Sequence, residues 1–120
     1  MNRAPPRSSM KSKDADTWRS LVTVLDALLS ERMGITEGCR RVVRLRFELS
    51  EERSELFLPF VGVDSKTDAF PLGEVRELWS PAALVREDKK RSRVEDHYRP
   101  FVIKASKELI AYAGTRIRDA

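Results

Sequence analysis

Apolar residues recur at helical spacing from Trp18 onward. Residues at i, i+3, i+4 and i+7 share one helical face, so this spacing predicts an amphipathic helix. The residues on that face are Trp18, Leu21, Val22, Leu25, Leu28 and Leu29. Asp16 or Thr17 can cap the N-terminus of this helix, because their side chains accept hydrogen bonds from the first backbone amides. Gly34 has the residue type that favours a helix C-terminus, so we expect the helix to end just before it.

The next segment fits two patterns. Thr36 is a suitable N-cap, and the apolar residues after it have helical spacing. These residues are Cys39, Val42, Val43 and Phe47. Over 43–49, however, apolar and charged residues alternate, which is the pattern of a half-buried strand. We expect a helix because the cap comes before the apolar face, and a strand over 43–49 is the alternative.

A short third helix and a loop are predicted next. The helix should start near Ser50, which precedes two glutamates, and Pro59 and Gly62 should limit and end it. Residues 63–73 then combine Asp, Ser, Thr, Pro and Gly, residue types that form turns and bond to nearby backbone. We expect this stretch to be irregular.

The C-terminal region predicts a long helix. Ser80 and Pro81 suit the N-cap and the first helical position. The charged stretch 86–93 should project into solvent, and Pro100 should kink the helix. The sequence thus predicts an all-α, single-domain fold of four or five helices, with an irregular loop at 63–73 and a long kinked C-terminal helical region. The predicted core is Trp18, Leu25, Val43, Phe47, Phe57, Phe60, Trp79, Phe101, Val102 and Leu109.

The charge of the chain is concentrated at its N-terminus. The formal net charge is +4, and residues 1–13 contain four of the 23 basic residues and none of the 19 acidic ones. Residues 14–120 are therefore neutral as a whole. Since residues 1–13 have no apolar pattern, we expect a disordered basic tail there and one helical domain at 14–120. A neutral domain weakens the case for nucleic-acid binding.

The sequence offers little material for catalysis or metal binding. Cys39 is the single cysteine and His97 the single histidine, so no intrachain disulfide can form. Asp64 and Asp68 have hydroxyls between them and could hold a hard cation. They lack the glycine and final glutamate of an EF-hand, however, and a capped turn is the favoured interpretation. We expect no enzyme, no cofactor and no metal.

Charged residues supply the candidate binding positions. Arg40 and Arg44 lie on one helical face, where like charges repel each other and a nearby anion would be favourable. The loop at 63–73, the short amphipathic turn that follows Gly73 and the charged C-terminal helix supply the others. The candidate binding residues are Arg40, Arg44, Asp64, Ser65, Lys66, Asp68, Arg76, Arg91, Glu95 and Arg99.

Three stretches resemble a loosely defined group of uncharacterised small bacterial helical proteins. They are EGCRRVVRLRFEL (37–49), FVGVDSKTDAFPLGEVRELW (60–79) and ALVREDKKRSRVEDHYRP (83–100). The resembling pattern has an acidic residue after the Asp-Ser of the loop, where this chain has Lys66. The resemblance implies no reaction. Some proteins of this kind are immunity proteins or accessory binding factors, and that is the functional class it implies.

These observations lead to two functional expectations. The first is a non-enzymatic protein-binding module with a protein partner, either an immunity-type inhibitor or an accessory factor. The alternative is a nucleic-acid-associated protein that uses the basic tail and the Arg40–Arg46 patch. No stretch approaches the roughly 18 apolar residues of a membrane span, and the N-terminus has no apolar signal segment. We therefore expect no membrane contact and a cytoplasmic location, while the oligomeric state is left open.

Overall fold

The computed structural model describes residues 5–49 and 54–119, with side chains over 14–49 and 55–119. Within these ranges the chain is helical and has no strand, which confirms the all-α prediction. The elements are α1 (Pro5–Leu29), α2 (Ile35–Glu48), a first 3₁₀ helix (Ser54–Phe57), α3 (Leu58–Thr67), a second 3₁₀ helix (Gly73–Leu78) and α4 (Pro81–Asp119). None of the helices described is long and apolar enough to cross a membrane.

The first helix starts earlier than predicted. α1 begins at Pro5, so it includes residues 5–13, for which a disordered tail was expected. Proline is tolerated in a first turn because the amide it lacks would have no helical partner there, and no further proline or glycine interrupts the chain before Gly34. Residues 1–4 lie outside the described residues. That the domain folds without 1–13 stays a prediction.

The C-terminus of α1 is closed at Glu31, three residues before the predicted position at Gly34. Glu31 has a φ of 60°, in the left-handed region that favours glycine. Its amide donates to the carbonyl of Leu28 at 3.2 Å, and the amide of Arg32 donates to the carbonyl of Ala27 at 2.9 Å. These two bonds form a Schellman motif, with glutamate in the place that glycine usually takes.

The segment with two patterns is a helix. α2 covers Ile35–Glu48, which confirms the helical prediction and excludes a strand there. Its buried residues include Ile35, Cys39 and Val42, which follow a helical period, whereas a strand would bury every second residue. The N-cap prediction at Thr36 is wrong. Gly34 occupies that position in an extended conformation, and Thr36 is the second residue of the helix, in its first turn.

The predicted loop at 63–73 is shorter than expected. α3 runs through Thr67, so only 68–72 is irregular before the second 3₁₀ helix begins. The start predicted near Ser50 lies outside the described residues.

Pro59 and Gly62 do not limit α3. Pro59 lies in the first turn of α3, where a proline costs nothing, and Gly62 lies inside the helix. A Cβ atom at Gly62 would stand 3.0 Å from Cε1 of Tyr98. The absence of a side chain therefore lets α3 pack closely against α4.

The last helix carries the core in its C-terminal half. The amide of Ala83 donates to the hydroxyl of Ser80 at 3.1 Å, which confirms the predicted cap. α4 has 39 residues and is about 58 Å long. The helix continues through Pro100. Its buried residues all follow that proline, and they are Val102, Ala105, Ser106, Leu109 and Ala113. The N-terminal half of α4 thus contributes no fully buried residue, although Tyr98 packs against the core.

The core is formed where α1 packs against α2 and α4, and α3 packs against the same two helices. Six predicted core residues are buried, namely Trp18, Leu25, Phe57, Phe60, Val102 and Leu109. Val43 and Trp79 are half-buried. Phe47 and Phe101 are 79% and 54% exposed, so their placement in the core was wrong. Consecutive helical residues lie about 100° apart, and these two fall beside the buried stripe rather than on it.

Candidate interaction surface

Arg40 is a structural anchor. Its Nη2 atom donates to the main-chain carbonyl of Thr67 and, at 3.0 Å, to that of Phe70. The last carbonyls of a helix have no partner within the helix, so a guanidinium there closes the end of α3 and fixes the turn after it. The sequence analysis placed Arg40 in an anion-binding patch, whereas in the structure its donors are directed at the chain itself.

Glu95 caps a helix that is distant in sequence. Gly34 has no side chain with which to cap α2. The Oε2 atom of Glu95, on α4, instead accepts a hydrogen bond from the amide of Thr36 at 3.2 Å and one from its hydroxyl at 2.7 Å. The carboxylate also lies at the positive end of the α2 dipole, where negative charge is favourable. Glu95 therefore ties α4 to the start of α2.

Arg76 and Arg91 extend this polar contact along α4. Arg76 makes a bidentate pair with Asp88, with both N–O distances at 2.8 Å. The hydrogen bond from Arg76 lowers the pKa of Asp88, and the charges of Arg76 and Arg91 act in the same direction. Arg91 lies 3.6 Å from Asp88 and 3.8 Å from Glu95. Three predicted site residues, Arg76, Arg91 and Glu95, are thus brought into one network that holds the second 3₁₀ helix beside α4.

The acidic and hydroxyl residues of the predicted loop do not form a metal site. Ser65, Lys66 and Asp68 are exposed on the last turn of α3 and just after it, and Asp64 is half-buried. Among the described residues, no group of three or more His, Cys, Asp or Glu side chains could hold a metal ion. The candidate residues of this stretch lie on the last turn of α3 and at its C-cap.

Cys39 is not a suitable nucleophile. Burial, together with the negative charges of Asp64 and Glu95, raises the pKa of its thiol from the ordinary 9.0 to about 12. Because the thiolate is the reactive form, a thiol with this pKa is inert near neutral pH. His97, the other candidate, is exposed on α4 and packs edge-on against Tyr98, with ring centroids 5.1 Å apart.

The Arg40–Arg46 patch is largely used within the domain. Arg41 pairs with Glu37 at 2.8 Å, and the guanidinium of Arg46 lies 5.8 Å from the centre of the Phe57 ring. Arg44 is exposed, and no ion pair to it occurs within the described side chains. One exposed cation is a weak site for a polyanion. The last predicted residue, Arg99, pairs with Asp96 at 3.2 Å on the surface of α4.

Exposed apolar and basic residues occur on the second 3₁₀ helix and on the N-terminal half of α4, two elements that the Arg76–Asp88 pair joins. We call these residues the arm surface, and they are Val75, Leu78, Val85, Arg86, Lys89, Lys90 and Arg93. The three apolar side chains are 53%, 85% and 57% exposed. Sequence reasoning expected the charges of 86–93 to project, but it missed the apolar members. The sequence feature that could have indicated them is weak, because it consists of single aliphatic residues near a charged stretch.

The basic members of the arm surface have few partners. Lys90 lies 3.7 Å from Glu87, and within the described residues no ion pair reaches Arg86, Lys89 or Arg93. Arg86 with Lys90, and Lys89 with Arg93, are like-charge pairs at i, i+4 spacing, which destabilise a helix slightly. The positive charges of this surface are therefore only partly neutralised within the described residues.

Comparison with known proteins gives a family but no reaction. A family model described as "Protein of unknown function (DUF2489)" matches residues 4–109, which is most of the chain. This match confirms the expected likeness to an uncharacterised group. No curated protein and no solved structure matches the chain.

Proposed function

We propose that this chain, which belongs to the family of unknown function DUF2489, is a non-enzymatic protein-binding module. In this proposal it acts as an immunity-type inhibitor or an accessory factor in the cytoplasm. The observation that carries the proposal is the arm surface, where exposed aliphatic side chains stand beside cations that have few partners. Exposed apolar groups rimmed by polar ones are typical of protein interaction sites.

The chemistry of the arm surface supports an acidic protein surface as the partner. Carboxylates from the partner would relieve the repulsion among Arg86, Lys89 and Arg93, and Val85 and Leu78 would lose water against an apolar contact. Charge complementarity of this kind mainly raises the association rate and selects the partner, while the buried apolar groups contribute more of the affinity.

The hydrogen bonds made by Arg76 and Glu95 within the chain support binding of a partner at the arm surface. The bidentate pair between Arg76 and Asp88 holds the second 3₁₀ helix on α4, and the Glu95 cap holds α4 on α2. Both contacts hold the second 3₁₀ helix and the N-terminal half of α4 in place before a partner binds. A binding surface that is already ordered loses less conformational entropy on association, so the affinity is higher for the same contacts.

Nucleic acid is the competing ligand class. The exposed cations of α4 would attract phosphate, but the arm surface has aliphatic rather than aromatic neighbours, and stacking on bases needs aromatic rings. The patch first expected to bind nucleic acid is largely occupied, since Arg40, Arg41 and Arg46 contact groups of this chain. These contacts favour a protein partner.

A photo-crosslinking experiment tests the proposal. A photoreactive amino acid at Ser92, an exposed position between Lys89 and Arg93, should capture a defined protein in cells of the source organism. Reversal of charge in Lys89→Glu/Arg93→Glu should reduce that product at least tenfold. The matched control is Lys104→Glu/Lys107→Glu, which makes the same charge change on exposed residues of the same helix and should leave capture unchanged.

Two results would contradict the proposal. One is equal loss of capture in both double variants, because the effect would then come from net charge alone. The other is tight binding of duplex DNA or structured RNA at about 150 mM salt that Lys89→Glu/Arg93→Glu abolishes, which would assign the arm surface to nucleic acid.

A further inference from the structure

A second candidate site is a cavity where the end of α1 and the start of α2 meet α4. Its volume is about 200 Å³, and its aliphatic walls come from Leu28, Leu29, Ile35, Val102 and Ile103. A water molecule occupies roughly 30 Å³ in the liquid, so the cavity corresponds to about seven waters, or to a molecule of about seven to ten non-hydrogen atoms. This is the size of a small metabolite.

Two side chains of opposite charge also line the cavity. Glu31 comes from the turn between α1 and α2, and Arg99 comes from α4. No ion pair joins them within the described residues. Arg99 is bound to Asp96 at 3.2 Å, but Asp96 is 74% exposed, and an exposed pair of this kind stabilises little. The carboxylate of a ligand can therefore take the place of Asp96 on the guanidinium.

The backbone at Glu31 points to a use for its side chain. Its φ of 60° is unfavourable for any residue with a Cβ atom, and a glycine would close the same Schellman motif without that cost. Non-glycine residues in the left-handed region are enriched at ligand-binding sites, where the strain holds a functional group in place. Here the strained residue is the acidic group of the cavity lining.

Ser106 adds a third polar group to the same cavity. The residue has no exposed surface, and its hydroxyl has no hydrogen-bond partner among the described residues. Buried hydroxyls without a partner are uncommon in folded proteins. Around one small cavity, an exposed acid, a weakly paired base and a hydroxyl without a partner are thus found together.

We propose that this cavity binds a small aliphatic zwitterion, for which L-leucine is a suitable probe. The aliphatic part of the ligand lies against the walls from α1, α2 and α4, its carboxylate binds Arg99, and its ammonium group binds Glu31. A purely anionic ligand would be repelled by Glu31, and a purely cationic one by Arg99. The proposal does not depend on the proposed function, because no residue of the arm surface lines the cavity.

The test is a calorimetric titration of the full chain with four compounds. L-leucine should bind saturably. 4-Methylpentanoate lacks the ammonium group, 3-methylbutylamine lacks the carboxylate, and glycine lacks the aliphatic group, so each should bind at least tenfold more weakly. This factor corresponds to the loss of one charge-assisted contact or of most of the apolar burial.

Variants separate the ligand contact from folding. Arg99→Gln should weaken L-leucine binding at least tenfold. Glu31→Gly should do the same while raising the midpoint of thermal unfolding, since glycine relieves the backbone strain. Arg41→Gln breaks an exposed arginine–glutamate pair elsewhere and should leave binding unchanged.

Three outcomes would overturn the proposal. The first is no saturable binding of L-leucine at millimolar concentration. The second is L-leucine binding that Arg99→Gln and Glu31→Gly both leave unchanged, which would place the ligand elsewhere. The third is equal affinity for 4-methylpentanoate and L-leucine, which would remove the role of Glu31.

Discussion

Removal of the Glu95 carboxylate should destabilise the protein more than any other loss of an acid on α4. Glu95 accepts two hydrogen bonds from Thr36, at 2.7 and 3.2 Å, and its side chain is only 17% exposed. In Glu95→Ala, the amide of Thr36 returns to the unsatisfied state of a free helix N-terminus. The Thr36 hydroxyl, on a residue that is 1% exposed, loses its acceptor where water has little access.

The magnitude follows from these contacts. An N-cap substitution costs about 0.5–2 kcal/mol, and a buried polar group left without a partner costs about 1–3 kcal/mol. The two costs overlap because one oxygen atom serves both donors, so we expect Glu95→Ala to lower the free energy of unfolding by about 3 kcal/mol. Glu95→Gln keeps one carbonyl oxygen as an acceptor and should lose about 1 kcal/mol.

Urea unfolding, followed by circular dichroism, measures this effect. The matched control is Glu108→Ala, the same substitution at an exposed position of α4, which should change the free energy of unfolding by less than about 0.5 kcal/mol. A double-mutant cycle with Thr36→Val should give a coupling energy of at least about 1 kcal/mol. A cost for Glu95→Ala no greater than that of the control, or a coupling energy near zero, would refute the assignment of Glu95 as the cap of α2.

Three further predictions concern single side chains. Arg40→Met removes the donors at the end of α3 and should lower the free energy of unfolding, measured in urea, by about 2 kcal/mol. Arg44→Met on the same helix should lower it by less than about 0.5 kcal/mol, and equal losses would contradict the role of Arg40 at the end of α3. Glu31→Gly should raise the free energy of unfolding by about 1 kcal/mol, and a decrease would show that its φ carries no strain. The Cys39 thiol should resist thiol reagents in the native protein at about pH 8 and react after denaturation. The pKa of Cys39 is about 12 in the folded protein and 9.0 in the unfolded chain. The protonated thiol therefore makes its full contribution to folding stability below pH 9, and this contribution is lost as the pH rises toward 12. Cys39→Ala should remove that part of the decline, and an identical pH profile in both proteins would contradict it.

The sequence was sufficient to predict which segments form the main α-helices. Periodicity reports which residues share a face, and that property is local, so the apolar stripe of α1 and the cap at Ser80 were predicted correctly. The helix over 43–48 was also predicted, even though the same residues alternate as in a strand. The apolar face that begins at Cys39 was a correct reason for that choice, whereas the cap at Thr36 was a wrong one.

The ends of the helices were predicted less well, because their partners are distant in the chain. The sequence predicts Thr36 as the cap of its own helix, but the group that caps α2 is Glu95, 59 residues away. It also predicts helix ends at Gly34 and Gly62. Glu31 closes α1 instead, and Gly62 lies inside α3, where it faces Tyr98 of α4. Glycine permits a helix end, but tertiary packing decides whether one occurs.

The different roles of Arg40 and Arg44 depended on the tertiary structure. Arg40 and Arg44 are equivalent in sequence, one turn apart on α2, yet Arg40 meets the carbonyls at the end of α3 and Arg44 meets solvent. A charged side chain is long and can pair with any group of opposite charge that the fold brings within reach. The sequence therefore determines which charges and which helical faces exist, whereas the packing of the helices determines which charges are paired within the chain and which stay exposed to solvent.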